Sequence, residues 1–544
     1  MFKIKAVRPA LVTMLASVFL LMGFNAPLWV HLVSITEPNG SGMMMRFAFA
    51  LLIACAFNLL ITLFTFGRTL KPTLILLFII SAGAAYFMNQ YGVLIDVGMI
   101  RNVAQTDTSE VQALLSTTLL GYLLALGVLP GYILWKTPIH YRPWPQELVG
   151  KGLTVLLCVS LIGGVSLLNY KGLSSLFRNH HELRLMIVPS NVIGASISYA
   201  REELKTAQQP FMPIAQDARL DGSWARHSRK SLTVLVVGES ARAANFGILG
   251  YPRDTTPELN KEDGLVAFSH VTSCGTETAV SVPCMFSNMG RKHYDVARAK
   301  NQEGLLDVLK RAGLAVIWRD NQSGCKGTCD RVMRQDVSKN KDSLLCADHE
   351  CRDEILLQGL QPLIDHLDKD TVLVLHQMGS HGPEYFKRYP GAFERFTPVC
   401  HSNALETCSR ESIVNAYDNT IAYTDHVLAT LIDVLRRNGD KVDSAMIYLA
   451  DHGESLGEYN IYLHGTPYLF APEEQKHVPM ITWFSEGYQR ALQLDGRCLQ
   501  AKRDAALSQD NLFHSVLGLL KVNTLVYESS LDLFTSCRTP MPVG

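Results

Sequence analysis

The stretch Ser444-Ala-Met-Ile-Tyr-Leu-Ala-Asp451-His452-Gly453-Glu454 decides how this chain is read. An apolar, β-like run ends abruptly in a carboxylate, an imidazole, a glycine and a second carboxylate. An aspartate and a histidine side by side at a strand end can both reach one cation such as Zn²⁺. Two other apolar runs end in the same manner. Leu232-Thr-Val-Leu-Val-Val-Gly238 delivers Glu239-Ser240, and Thr371-Val-Leu-Val-Leu375 delivers His376-Gln-Met-Gly-Ser-His381-Gly. Polar groups gathered at the carboxyl ends of strands are what an open α/β sheet offers to a substrate.

Around these runs the C-terminal half alternates between strand and helix patterns. Strands are expected at 232–237, 314–318, 371–376, 444–450 and 478–484, and helices at 302–312, 353–368 and 412–438. Such alternation argues a largely parallel sheet covered by helices. The segment from 231 to 544 is long enough to bury a large core. No internal repeat or low-complexity tract interrupts it.

The N-terminal half has a different chemistry. Charged residues are 18 % of the 544-residue chain, mean hydropathy is positive, and the apolar excess lies before about residue 170. Five runs, 10–33, 47–66, 72–91, 116–135 and 152–169, approach the roughly 20 apolar residues a membrane-crossing helix needs. A long first run without a small-residue cleavage site favours a retained span over a signal peptide. Lys3, Lys5, Arg8, Arg68, Lys71, Lys136, Arg142 and Lys151 all fall on one side of these spans. The positive-inside rule makes that side cytoplasmic, so an odd number of spans puts everything after about residue 170 outside. Few ionisable groups lie within the spans, which disfavours a transporter or channel. Lys+Arg and Asp+Glu both number 50, which gives no footprint for nucleic acid. Residues 1–170 are therefore expected as a five-helix membrane domain. Residues 171–230 follow as a bridging amphipathic helix and linker, and 231–544 as a catalytic domain. In the outer loop, Asn102, Thr106 and Glu110 are spaced to share one helix face, which reads either as a solvated helix cap or as a lipid headgroup contact.

Of 12 cysteines, Cys55 and Cys158 lie in the spans and the other ten follow residue 270. An even number on the outer side of a membrane indicates disulfides. Spacing proposes Cys274–Cys284, Cys325–Cys329, Cys346–Cys351 and Cys400–Cys408, leaving Cys498 with Cys537, although spacing does not determine connectivity.

A metal-assisted transfer site needs ligands, a nucleophile and groups that hold substrate charge. Glu239, Asp451 and His452 are ligand candidates. The nucleophile lies in Ser273-Cys274-Gly275-Thr276-Glu277-Thr278-Ala-Val-Ser281-Val-Pro-Cys284, a small-residue turn leading toward a helix start suited to an anion. Thr276, Thr278 and Ser281 all qualify, because coordination to Zn²⁺ lowers a hydroxyl's pKa. His381 and His464, each beside glycine, suit phosphate oxygens, leaving-group protonation or a second metal ion.

Together, Val-Val-Gly-Glu239-Ser-Ala-Arg, Cys274-Gly-Thr-Glu-Thr278-Ala-Val-Ser-Val-Pro-Cys284, Gly-Ser-His381-Gly-Pro, Asp451-His452-Gly-Glu454-Ser-Leu-Gly-Glu and Tyr-Leu-His464-Gly resemble the lipid A phosphoethanolamine transferases, which include the mobile colistin-resistance enzymes. The resemblance covers essentially the whole chain. It implies five membrane helices and an α/β periplasmic domain of the alkaline phosphatase/sulfatase type, in a bacterial inner membrane. It places the nucleophile on Thr278, the zinc ligands on Glu239, Thr278, Asp451 and His452, and the phosphoethanolamine-contacting histidines on His381 and His464. Asn102, Thr106 and Glu110 fall on the membrane-side substrate motif, and Lys326 on a further substrate-binding position. Ten outer cysteines resemble members with five disulfides. The implied reaction is ping-pong. Phosphatidylethanolamine is the donor, lipid A the acceptor and a phosphoethanolamine-threonine the intermediate. One zinc site is implied, with room for a second, transient ion. The protein is expected as a monomer among membrane lipids whose product confers polymyxin resistance. A sulfatase would instead need Cys/Ser-x-Pro-x-Arg at the nucleophile, and Thr278 is not in such a motif. A phosphoglycerol transferase would differ in its donor headgroup.

Overall fold

The computed structural model describes residues 6–106, 108–222, 229–340, 344–347 and 350–538. Lys3, Lys5 and the side chain of Glu110 lie outside the described residues. The chain divides into two compact units, Met1–Ile100 with Leu115–Tyr199, and Arg101–Leu114 with Ala200–Gly544. The excursion Arg101–Leu114 belongs to the second unit, although the chain enters and leaves it from the first.

The first unit is helical: α1 (Pro9–Gly23), α2 (Ala26–Ile35), α3 (Gly40–Phe64), α4 (Leu70–Gln90), α5 (Val97–Gln105), which carries on into the second unit, α6 (Thr117–Lys136), α7 (Trp144–Leu168) and α8 (Tyr170–Asn179). Phe49, Leu74, Ala82 and Ala85 are fully buried between helices, while Leu156, Leu157, Leu167 and Leu168 face outward. A helix apolar on all sides suits a hydrocarbon surround. Among the described residues, four helices are long and apolar enough to span, and α1 with α2 makes a fifth if the pair counts as one. The continuous helix expected over 10–33 is corrected here, since α1 and α2 meet at 67°. Asn25 sits fully buried at the break. Its amide donates to the carbonyls of Leu20 (2.8 Å) and Val188 (3.0 Å), and its carbonyl accepts the Val188 N–H (2.7 Å). Pro27 then supplies no N–H to continue the first helix. In α6 the turn Leu123–Val128 widens to a π-helix just before Pro130, which relieves the clash of its ring with the carbonyl four residues back.

After α9 (Ser190–Gln208), the second unit is built on a seven-stranded sheet. Its strands are β1 (Lys230–Gly238), β2 (Val266–Phe268), β3 (Ala315–Asp320), β4 (Met333–Asp336), β5 (Thr371–His376), β6 (Val442–Ala450) and β7 (Met480–Phe484). They lie in the order β2-β7-β6-β1-β5-β3-β4. The five strands from β6 to β4 run parallel, and β7 is antiparallel to both of its neighbours. The central strands β1, β5 and β6 are buried along almost their whole length, which is why they read as unbroken apolar runs. Two helices matter most for the site. They are α10 (Thr278–Met285) and α11 (Arg410–Arg437), the latter capped by Ser409, with Glu411 in its first turn and Arg436 and Arg437 in its last.

Two further expectations change. The helix over 353–368 is split into Asp353–Leu357 and Leu360–Asp365, because Gly359 adopts φ +71. The helix implied by the spacing of Asn102, Thr106 and Glu110 stops at Gln105, where the Thr106 hydroxyl donates to the Asn102 carbonyl (2.6 Å). The five disulfides pair as spacing proposed: Cys274–Cys284, Cys325–Cys329, Cys346–Cys351, Cys400–Cys408 and Cys498–Cys537.

Asn25→Ala removes three buried hydrogen bonds at the α1/α2 break and leaves backbone groups unpaired. The expected cost is about 2 kcal/mol, read as a lower unfolding midpoint of the chain in detergent. An unchanged midpoint would show that the bend does not depend on Asn25.

Candidate active site

Parallel pairing of β1 with β6 sets Gly238 opposite Ala450, so the residues that follow, Glu239 and Asp451, leave the sheet side by side. The Asp451 N–H donates to the Gly238 carbonyl (2.8 Å). Its Oδ1 accepts the N–H groups of Ser240 (3.1 Å) and His452 (2.7 Å). Its Oδ2 is buried with no hydrogen-bond partner among the described residues, 3.2 Å from His452 Nε2. His452 Nδ1 lies 2.9 Å from the Gly453 carbonyl. A carbonyl only accepts, so Nδ1 carries the proton and the Nε2 lone pair is left for the carboxylates' cation. Glu239 Oε1 is 3.4 Å from that Nε2. Thr278, the first residue of α10, completes the group. Its Oγ1 donates to Glu239 Oε2 (3.0 Å) and lies 3.3 Å from His452 Nε2.

All four side chains are buried. Four contacts of 3.0 to 3.4 Å link these side chains, close enough for their oxygen and nitrogen atoms to reach one cation. Burial and the adjacent Glu239 push Asp451 well above the usual carboxylate range. Burial also acts to raise Glu239, but the attraction of His452, His381, His464 and His376 draws it down to about 2. Burial, reinforced by His464, holds His452 neutral, down at about 4. Two carboxylates that cannot both ionise comfortably, an orphaned oxygen and a neutral imidazole make a donor set that calls for a cation.

His464 and His381 stand next to this group, with ring centroids 4.4 Å from His452 to His464 and 5.4 Å from His464 to His381. Burial works against charge on His464, but Glu454 Oε2, 2.8 Å from its Nδ1, raises it to about 9. The other Glu454 oxygen accepts the Tyr385 hydroxyl (2.6 Å). Burial lowers His381 to about 3. One histidine is thus a cation and the other a neutral base or acceptor.

The surrounding shell was largely invisible in the sequence. The Gln322 amide donates to Glu239 Oε2 (3.1 Å), the Ser323 hydroxyl to Gln322 Oε1 (2.5 Å) and Lys326 Nζ to Ser323 Oγ (2.8 Å), so Lys326 reaches the group through two intermediaries. Gln509 ties the loop before Thr278 to β6. Its amide donates to the carbonyls of Ala450 and Asp451 (2.7 Å each), and its Oε1 accepts the Cys274 N–H (2.7 Å). From α11, the Tyr417 hydroxyl donates to the Ser240 carbonyl (2.7 Å) and accepts the Arg242 N–H (2.9 Å). Gly379, at φ +54, passes so close that a Cβ would lie 2.6 Å from the Glu239 carbonyl.

Arg101, 4 % exposed, clamps Glu277, the residue before Thr278. It donates to Glu277 (2.9 Å) and in bidentate fashion to Glu202 on α9 (2.9 and 2.8 Å). No local signal joins residues 176 apart. The structure therefore gathers Glu239, Thr278, Asp451, His452, His381 and His464, with Lys326 linked indirectly. Asn102 and Thr106 follow Arg101 but make no hydrogen bond to that group among the described residues.

Known proteins match most of the chain. A family model described as phosphoethanolamine transferase EptA/EptB covers residues 53–204, and a sulfatase model covers 231–522. Phosphoethanolamine transferase EptA of Escherichia coli strain K12 is 45 % identical over 486 residues, 88 % of each chain. The chain belongs to the phosphoethanolamine transferase family. Phosphatidylethanolamine transferase Mcr-1 of Escherichia coli is 39 % identical over 88 % of this chain and 90 % of its own. The integral membrane lipooligosaccharide phosphoethanolamine transferase A of Neisseria meningitidis superposes with a TM-score of 0.95 at 35 % identity, covering 98 % of this chain and all of that one. Membership in the family makes this a multi-pass membrane protein with a periplasmic catalytic domain, the side expected from its basic residues and cysteines.

Arg101→Met strands the Glu277 and Glu202 carboxylates. The expected cost is about 3 kcal/mol, read in thermal unfolding, and an unchanged midpoint would exclude a structural clamp. In the zinc-free protein, His464 should stay charged as pH rises until about 9. Its folded-state pKa lies above the unfolded value, so its stabilising contribution is complete below about 6.5 and is lost through about 9. Glu454→Gln should shift that titration, followed by histidine ring resonances, toward lower pH.

Proposed function

We propose that the protein transfers phosphoethanolamine from phosphatidylethanolamine to a phosphate of lipid A through a phosphoethanolamine-threonine intermediate, in the bacterial inner membrane. The observation that supports this most is the Thr278 hydroxyl at the head of a helix, 3.0 Å from Glu239 and 3.3 Å from His452, beside an unpartnered Asp451 oxygen. The family names of its relatives supply the group transferred.

Glu239, Thr278, Asp451 and His452 would hold one zinc ion, which when bound lowers the pKa of a hydroxyl and offsets negative charge on phosphoryl oxygens. The remaining steps belong to the chain's own groups. Glu239 Oε2 accepts the Thr278 proton as Oγ1 attacks phosphorus. The bond from phosphorus to the glycerol oxygen breaks, and diacylglycerol leaves as the alcohol, its proton supplied by cationic His464. Free N–H groups in the first turn of α10 face the developing negative charge. In the second half-reaction a lipid A phosphate oxygen attacks the same phosphorus. The Thr278–phosphorus bond breaks, Oγ1 takes back the proton held by Glu239, and His464 regains its own from the attacking phosphate or from water. His381 and Lys326 bind the substrate's phosphate and headgroup, and Asn102, Thr106 and Glu110 contact the donor lipid. The added ammonium makes the outer surface less anionic, so cationic polymyxins bind it more weakly.

Thr278→Ala should lower transfer by at least ~10³-fold and remove the phosphoethanolamine adduct seen on Thr278 by intact-protein mass spectrometry. Mass spectrometry of lipid A from cells expressing the chain reports the product. Robust transfer by the alanine variant would sink the mechanism, and labelled phosphatidylglycerol outcompeting phosphatidylethanolamine would change the donor.

A further inference from the structure

The first unit holds a cavity of about 240 Å³ that the transfer reaction does not use. It lies where α1 and α7 begin and α3 ends. The far end of α7 is the one from which the chain runs on toward the periplasmic domain, so this end is cytoplasmic. Arg8, His140, Arg142, Glu147 and Lys151 line the cavity, and Leu153 belongs to its apolar wall.

Backbone contacts stitch the rim together. The Val7 N–H donates to the Pro138 carbonyl (2.9 Å), and the His140 N–H donates back to the Val7 carbonyl (3.0 Å), which sets the Arg8 segment beside the 138–142 loop. The Tyr141 hydroxyl donates to the Gly67 carbonyl (2.7 Å). Lys151 Nζ donates to the carbonyls of Thr62 (3.0 Å) and Thr65 at the end of α3, so its charge is held in place. The guanidinium groups of Arg8 and Arg142, by contrast, have no hydrogen-bond or ion-pair partner among the described residues. Three cations, Arg8, Arg142 and Lys151, against one carboxylate, Glu147, leave the rim with an excess positive charge of two. The starts of α1 and α7 add to it, since neither Arg8 nor Pro143 provides a side-chain cap.

We infer that this cavity binds a phosphate-bearing headgroup at the cytoplasmic face. Two guanidinium forks match the oxygens of a phosphate, and the positive ends of two helix dipoles lie beside them. The Leu153 wall accommodates the first carbons of an acyl-bearing glycerol. The net positive rim favours an anionic headgroup over phosphatidylethanolamine, whose ammonium would meet the same cations. The occupant would thus differ from the donor lipid.

The test is native mass spectrometry of the full chain in detergent with equal phosphatidylglycerol and phosphatidylethanolamine. One phosphatidylglycerol per chain should be retained, preferred by about tenfold, with Arg8→Gln and Arg142→Gln each weakening retention about tenfold, the size of one charge-assisted contact. Gly150 lines the cavity and has open space at its Cβ, so Gly150→Leu adds bulk there while keeping every charge, and it should also abolish retention. In a second arm, inorganic phosphate or glycerol 3-phosphate replaces lipid. Displacement of phosphatidylglycerol by either supports the site and identifies a soluble phosphate as its ligand, whereas no displacement together with loss in the variants supports it with a lipid as the ligand. Equal retention of both lipids, or retention unchanged in Arg142→Gln and Gly150→Leu, overturns the inference.

Discussion

The buried approach of the Glu239 and Asp451 carboxylates is the constraint to which the rest of the site answers. Side by side and without solvent, they repel, and Asp451 is pushed far above its usual range while histidines hold Glu239 down. Only a rigid frame can keep such a pair together, and only a cation relieves it fully. The parallel register of β1 and β6 provides the frame, because the one-residue alignment of Gly238 with Ala450 determines where both carboxylates emerge.

Thr278 depends on the same frame. Thr278 is held by its place at the start of α10, by the Cys274–Cys284 disulfide around its loop, and by Gln509, which bonds to both Cys274 and the end of β6. Arg101 adds a second hold one residue upstream, through Glu277 and Glu202. Around the metal-facing groups, charge is divided by partner and burial. Glu454 makes His464 a cation, burial keeps His381 neutral, and the Gly453 carbonyl determines the His452 tautomer.

Legibility followed the range of the interaction. Strands β1, β5 and β6 were readable because burial on both faces leaves an unbroken apolar run. Glu239, Asp451 and His452 were readable because each sits where such a run ends. Choosing Thr278 over Thr276 and Ser281 needed the family resemblance, since all three have the same chemistry. Where one residue redirected the chain, composition misled. A hydropathic run gives no sign that Asn25 will bend it, and the four-residue spacing of Asn102, Thr106 and Glu110 does not reveal that the helix stops at Gln105. Helix 353–368 failed at Gly359 for a reason that was visible, since glycine alone adopts that left-handed turn at little cost.

By itself, the amino-acid sequence determined where the apolar membrane runs lie, their orientation, the parallel α/β half and the residue types able to bind a cation. Each is a local property of hydropathy, charge or short spacing. Tertiary structure alone decided which oxygen of Asp451 is left without a partner, which histidine is charged, and that Gln322, Gln509 and Arg101 belong to the site. Those outcomes rest on contacts between residues far apart in the chain, and a hydrogen bond or a buried charge acquires its energy only when folding brings both partners together and excludes the water between them.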